Sequence, residues 1–182
     1  DYACLPEQSI STAISTFLAQ NRGARQYRRL SKGFSTGIRM EVTYGLIIGL
    51  VTYLLRGTIM RLFVDASQTE VVAMGITYLT YMSVFYLLPG LTNGVQGYFR
   101  GTGQMGMTLL GTFTQISLRV LFVFLLIGSM KIPGVAVASA LGWLGMLILD
   151  VPLARRELRV FDEGRDGKMT GRRKHRQFTG KP

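Results

Sequence analysis

The chain has 182 residues, 48% of them hydrophobic and only 17% charged, and its 21 Lys and Arg against 10 Asp and Glu leave a formal net charge of +11. With a mean hydropathy of +0.27 and a charge content below the roughly 25% usual for soluble domains, the composition excludes an ordinary water-soluble globule and points to an all-α polytopic membrane protein. One cysteine, Cys4, and one histidine, His175, exclude a disulfide framework and a thiolate or imidazole metal centre within the chain.

The positive charge is confined to blocks. Residues 21–40 hold six Lys and Arg and no acid, residues 154–182 hold ten against four acids, and the other 133 residues share five. Beside apolar runs such blocks set orientation against anionic lipid. The tail lacks the interleaved aromatic residues of a stacking platform, so no nucleic acid is expected as a partner.

In chain order, no initiating Met precedes Asp1, and residues 2–9 have neither the basic start nor the apolar run of a signal peptide, so the chain reads as the downstream part of a longer protein. Residues 1–20 supply the end of a truncated transmembrane helix, since the uncharged stretch 8–21 is short and rich in Ser and Thr. A basic cytoplasmic loop is expected over 21–40. Four transmembrane helices follow within 41–153. The first covers 41–64, with Arg56 and Arg61 near its far end able to snorkel. The second covers 71–99, which carries no charge and holds Pro89, so a kink is expected there. The third covers 107–130 and is interrupted only by Arg119; the fourth covers 132–149, entered through Pro133 and left through Asp150 and Pro152. Residues 154–182 read as a basic, disordered cytoplasmic tail. The links alternate as basic-inside topology requires: 65–70 has two acids and no Lys or Arg, whereas 100–106 has Arg100.

Polar residues inside apolar spans are costly in lipid and should face protein or water. Tyr86, Pro89, Asn93, Gln96 and Arg100 are spaced three, four, three and four apart, and Thr108, Thr112, Gln115 and Arg119 four, three and four apart, so each set shares one helical face. The two stripes can face each other and line a path. Structural hydrogen bonds between helices are the alternative reading of the same residues. In the last span Gly134, Ala138 and Gly142, with Gly145 a turn on, form a close-packing seam, within the bundle or between copies. Trp143 reads as a packing residue, and Tyr78, Tyr81, Phe85 and Tyr86 as interfacial or core aromatics, with stacking on a flat cation as the second reading. Enzyme signals are absent: there is no nucleophile elbow, no paired intramembrane carboxylates and no His cluster, and residues 100–104 lack the later glycine and preceding strand of a dinucleotide loop.

Several short elements, in order from about Ser11 to Arg156, resemble the multidrug and toxic compound extrusion (MATE) transporters. Gln20-Asn21-Arg22-Gly23-Ala24 resembles the family's QNxGA element, and Phe63-Val64-Asp65 closes the next span. Gly97-Tyr98-Phe99-Arg100-Gly101-Thr102-Gly103 resembles its RGxG link after helix ten, Leu118-Arg119-Val120 the arginine of helix eleven, and Ile132-Pro133-Gly134-Val135-Ala136 the start of helix twelve. The resemblance implies two six-helix lobes around a cavity that opens alternately to either side of the cell membrane. It implies export of small organic cations or amphipathic compounds against Na⁺ or H⁺, with no cofactor beyond the coupling ion. This chain would then hold the end of helix eight and helices nine to twelve, its partners being the lipid bilayer and the first lobe of the same protein. Tyr86, Asn93, Gln96, Gln115 and Arg119 would line the substrate path, and Pro89 would bend its helix. Members with an acid in helix ten would place it where this chain has Pro89 and Asn93, so an essential carboxylate is expected in the first lobe. A lipid-linked oligosaccharide flippase of the same superfamily would want more cationic residues in its cavity, and a non-transporting scaffold with a recruiting tail is the reading from another class.

Overall fold

Pro6, near the start of the first long helix, α1 (Leu5–Gly23), stands where its missing N–H costs nothing. At the other end the amide of Ala24 donates to the Gln20 carbonyl at 3.0 Å and that of Gln26 to Asn21 at 2.8 Å, while Arg25 takes a left-handed φ of 55°. Three residues thus reverse the chain into α2 (Tyr27–Phe63). Most of the basic stretch expected as a loop is therefore helical. The 37 residues of α2 rise roughly 55 Å, well beyond a hydrocarbon core of about 30 Å, so the Arg- and Lys-bearing turns extend the apolar span without a break.

This computed structural model describes the backbone of residues 2–65 and 67–178 and the side chains of 3–65 and 67–158. Within them lie a short 3-10 turn (Tyr2–Cys4), α1, α2, α3 (Thr69–Phe85), α4 (Leu87–Gly101) and α5 (Met105–Phe178), with no strand. In the link between α2 and α3 the Ser67 amide donates to Asp65 Oδ1 at 2.9 Å, which holds that exposed carboxyl below its usual range.

The expected kink is present, displaced by one turn. α3 and α4 meet at Tyr86 and are bent by 47°, three residues before Pro89. Proline has no N–H for the carbonyl four residues back, here that of Phe85, and its ring crowds that carbonyl, so the ladder opens upstream of the proline itself. α5 contains a reversal at Lys131 (φ 50°, ψ −129°). Its two arms run back along each other: a Cβ on Gly134 would stand 2.9 Å from the Leu126 carbonyl oxygen, one on Gly142 2.9 Å from that of Gln115, and one on Gly145 2.2 Å from a Leu118 methyl. The small-residue seam therefore packs inside the bundle. The second arm does not stop at Leu149. It passes through buried Asp150 and Pro152, and its backbone stays helical to Phe178. Residues 154–178, expected as a basic cytoplasmic tail, continue this helix; residues 179–182 of that expectation lie outside the described ones.

The core is built from Ile14, Leu18, Leu30, Val95, Tyr98, Phe99 and Ala154, and the Tyr98 ring lies 5.0 Å from Phe34 and 5.6 Å from Phe99. These come from α1, α2, α4 and the second arm of α5, gathering the bundle near the α1–α2 turn. The outward face is apolar as well: Leu46, Ile47, Leu50 and Leu54 on α2 and Leu109, Phe113, Phe124 and Leu125 on α5 are all more than half exposed. Helices apolar on both their inner and outer faces belong in a bilayer. By length and composition α2 and α5 can cross it, and the α3–α4 pair, bent by 47°, has the form of a broken span or a re-entrant loop.

Candidate substrate-path cavity

Four glycines decide how closely the elements approach. A Cβ on Gly97 or Gly101 of α4 would lie 2.6 Å from the carbonyl oxygens of Ser11 or Ser15 on α1, one on Gly49 of α2 2.6 Å from the Ser83 carbonyl of α3, and one on Gly111 of α5 2.6 Å from the Asp150 carboxylate. This packing leaves α4 facing both arms of α5 across a cavity of about 200 Å³. Pro89, Thr92, Asn93, Gln96 and Arg100 line it from α4, Thr108, Thr112 and Gln115 from the first arm, and Trp143 and Met146 from the second. The two polar stripes thus meet, as their spacing led one to expect, and Trp143 forms part of the wall. A larger groove of about 670 Å³ lies between α1 and α2, lined by Ile10, Ile14, Phe17 and Met40 with Arg29 and Lys32 at its basic end. Its walls are largely apolar, whereas those of the smaller cavity are mostly polar.

Two expected path residues stand apart from that cavity. Tyr86 sits at the break before α4 and faces buried Thr52 of α2. The 47° bend takes it off the helical face it would share with Asn93 in a straight helix. Arg119 roots against Gly142, where a Cβ would lie 3.2 Å from its own, and its side chain is exposed on the surface of the lobe. Asn93, Gln96 and Gln115 do come together. Arg100 closes one end and donates from Nη2 to Ser11 Oγ at 2.6 Å, while the Ser11 hydroxyl donates to the Asn93 carbonyl.

Sequence reasoning missed the acids. Asp150, read as the exit of the last span, is 2% exposed and accepts a hydrogen bond from Gln96 Nε2 at 2.8 Å through Oδ2. The other Gln96 amide atom, Oε1, and the Thr108 hydroxyl are buried without partners. Glu7 and Glu41 are wholly buried too. Glu41 and Asp150 flank apolar runs in the sequence, and the signal for them was helix length: α2 and α5 run past those runs, carrying their flanking residues into the packed interior, whereas Glu7 stands in the first turn of α1.

The MatE family model matches residues 2–125. Among curated proteins, the probable multidrug resistance protein YoeA of Bacillus subtilis (strain 168) is 28% identical over 104 residues, covering 57% of this chain and 22% of that protein. Among solved structures, the inward-facing conformation of a multidrug resistance MATE family transporter of the MOP superfamily superposes with a TM-score of 0.80 at 18% identity, covering 89% of this chain and 38% of that one. The chain thus spans about a fifth of the curated relative's length and under two fifths of the solved one's. A polar cavity inside an apolar, reversing helical bundle, a family match over more than half of the residues and a shared fold give one conclusion: the chain belongs to the MATE family of membrane transporters.

Proposed function

We propose that this chain forms most of the second lobe of an ion-coupled antiporter that exports cationic or amphipathic organic compounds by alternating access, driven by Na⁺ or H⁺. The observation that carries the reading is the polar cavity between α4 and the two arms of α5, continued on the lobe surface by exposed Thr112 and Arg119 and half-buried Gln115. Polar side chains at that depth are expensive unless they meet water, substrate or another lobe. Repeat-built transporters bind at such a face between two lobes that rock against each other. Asn93, Gln96, Gln115 and Arg119 are the path residues on this reading, and Tyr86 acts at the break rather than on the substrate. One exposed arginine on that stripe gives a pyrophosphate-bearing lipid little to bind, so the flippase reading is the weaker one.

Efflux of ethidium from cells carrying the full-length transporter tests it. Gln115→Leu and Arg119→Gln are expected to lower the efflux rate per folded molecule about tenfold while leaving membrane yield unchanged, since neither side chain is buried. Unchanged normalised rates in both variants would remove this face from the path. On orientation, the basic α1–α2 turn and the α5 tail are assigned to the cytoplasm and Ser67 to the outside of the inner membrane. With Cys4 replaced, a membrane-impermeant thiol reagent should label Ser67→Cys in intact cells and Gln26→Cys only after permeabilisation; the opposite pattern reverses the topology.

A further inference from the structure

Two carboxylic acids meet in the bundle away from the cavity. Glu7 lies in the first turn of α1 and Glu41 fourteen residues into α2. Both have zero exposed surface, and none of their four carboxyl oxygens has a hydrogen-bond partner. The antiparallel packing of α1 on α2 brings them together. A Cβ on Gly37 would touch Ile14, and the Tyr44 hydroxyl donates to the Ala3 carbonyl at 2.8 Å, so the stretch around Glu41 runs beside the start of α1. Both acids also face α4 just past its break. Glu41 Oε2 lies 3.5 Å from where a Cβ on Gly90 would stand and its Cγ 3.3 Å from one on Gly94, and the Asn93 amide faces Glu7 outside hydrogen-bond geometry.

An ionised carboxylate so enclosed suffers a desolvation penalty that no neighbour offsets, and a second one beside it adds repulsion. The other ionisable groups facing the pair are Cys4, Tyr44 of α2 and Tyr86 at the break, none of them cationic. The nearby cation of α4, Arg100, is engaged by Ser11, and Arg39 of α2 is exposed. The helix dipole of α1 favours negative charge at Glu7 only, since Glu41 is far from either end of α2. A metal ion would need more ligands: among the described residues no three His, Cys, Asp or Glu are placed to hold one, and the Ser11 hydroxyl is committed to Asn93 and Arg100.

We infer that Glu7 and Glu41 form a proton-carrying carboxyl pair at the α3–α4 break, both protonated while the bundle is closed around them and releasing a proton when movement at the break admits water. The Asn93 amide is then the donor available to the carboxylate that remains, which ties the proton to the helix that also lines the cavity. The site supplies a coupling proton to the antiport reading and rests on it, whereas its protonation can be read without transport. Nothing covalent changes: a proton leaves one carboxyl oxygen for water and returns.

Infrared difference spectra of the purified full-length transporter, titrated in pH, read the protonated-carboxyl C=O stretch. A component present at neutral pH should be reduced in Glu7→Gln and in Glu41→Gln and lost in the double variant. Because an amide mimics a protonated acid, both single variants should keep the parent's melting temperature. Spectra identical in the parent and the double variant would overturn the pair. Ethidium efflux from proteoliposomes forms the second arm: an imposed proton gradient should accelerate the parent at least tenfold more than either Gln variant. Equal acceleration, or acceleration by a sodium gradient alone, overturns the coupling role even if the band is present. A parent that moves ethidium under neither gradient while the band behaves as expected defeats the antiport reading and leaves the pair's protonation standing.

Discussion

Gly97→Val is expected to cost the transporter most of its folded yield, more than any substitution in the outward apolar face. A β-carbon at position 97 would stand 2.6 Å from the carbonyl oxygen of Ser11 and 2.9 Å from its hydroxyl. The obstruction is backbone, which cannot swing aside as a side-chain tip can. Nor can Ser11 retreat, because its hydroxyl donates to the Asn93 carbonyl and accepts from Arg100. α1 and α4 would have to separate along the interface that also carries Gly101 and Leu18, with Leu18 and Tyr98 completely buried in the core there. Overpacking of this kind costs about 1–3 kcal/mol or more, and in lipid no hydrophobic force draws the helices back together, since close packing is what held them. Gly57→Ala in α2 and Gly128→Ala in α5 are the controls. Nothing lies within 4 Å of a Cβ at either position, so each should leave stability unchanged or raise it by up to about 1 kcal/mol through helix propensity. Melting curves in detergent, read with membrane yield, check the contrast. Equal behaviour of Gly97→Val and Gly57→Ala would mean that α1 does not pack on α4 as described.

How much of this was legible depends on which physical signal each feature leaves in the sequence. Apolar runs leave their mark directly: those at 41–64 and 71–99 fall within α2 and the α3–α4 pair, and those at 107–130 and 132–149 within the two arms of α5. Pro89 announced a bend through its missing donor, and Gly134, Ala138 and Gly142 announced a close approach through their size. The cavity was partly legible for the same reason: a spacing of three and four puts Asn93 on the face of Gln96, and Thr108 and Thr112 on that of Gln115. What periodicity assumes is a straight helix. The break at Tyr86 violates that assumption and removes Tyr86 from the stripe, and periodicity does not say which side of a helix a neighbour covers, so Arg119 could share a face with Gln115 and still end exposed. The acids were illegible for a different reason. Asp150 ends an apolar run, which in the sequence reads as the exit from the membrane, Glu41 stands at the start of one, and Glu7 precedes an uncharged stretch rich in Ser and Thr. Their burial is a tertiary property, set by α1 lying along the start of α2 and by the second arm of α5 continuing past Asp150 against α4.

The Gln96–Asp150 pair should show strong coupling in a double-mutant cycle. Gln96 of α4 is 5% exposed and Asp150 of α5 is 2% exposed, and Nε2 donates to Oδ2 over 2.8 Å. Gly111 on the first arm makes room for both, since a Cβ there would lie 2.6 Å from Asp150 Oδ2 and 2.7 Å from Gln96 Nε2. Gln96→Leu leaves the acid without its donor, and Asp150→Leu leaves a buried amide N–H beside an Oε1 that already lacks a partner. Each single change therefore costs the hydrogen bond and the desolvation of the group left behind, about 1–3 kcal/mol and more if that group is a charged carboxylate. Removing both partners abandons no polar group. The double variant should be less destabilised than the sum of the singles, with a coupling of about 1–3 kcal/mol, and Asp150→Asn, which keeps an acceptor for Nε2, should be milder than Asp150→Leu. Thermal or denaturant unfolding of the full-length transporter in detergent measures all four. Additive losses would show that the two side chains do not bond across the helices, and Gly111→Ala gives an independent check: if they do, its added methyl forces them apart and it should resemble Gln96→Leu rather than Gly128→Ala.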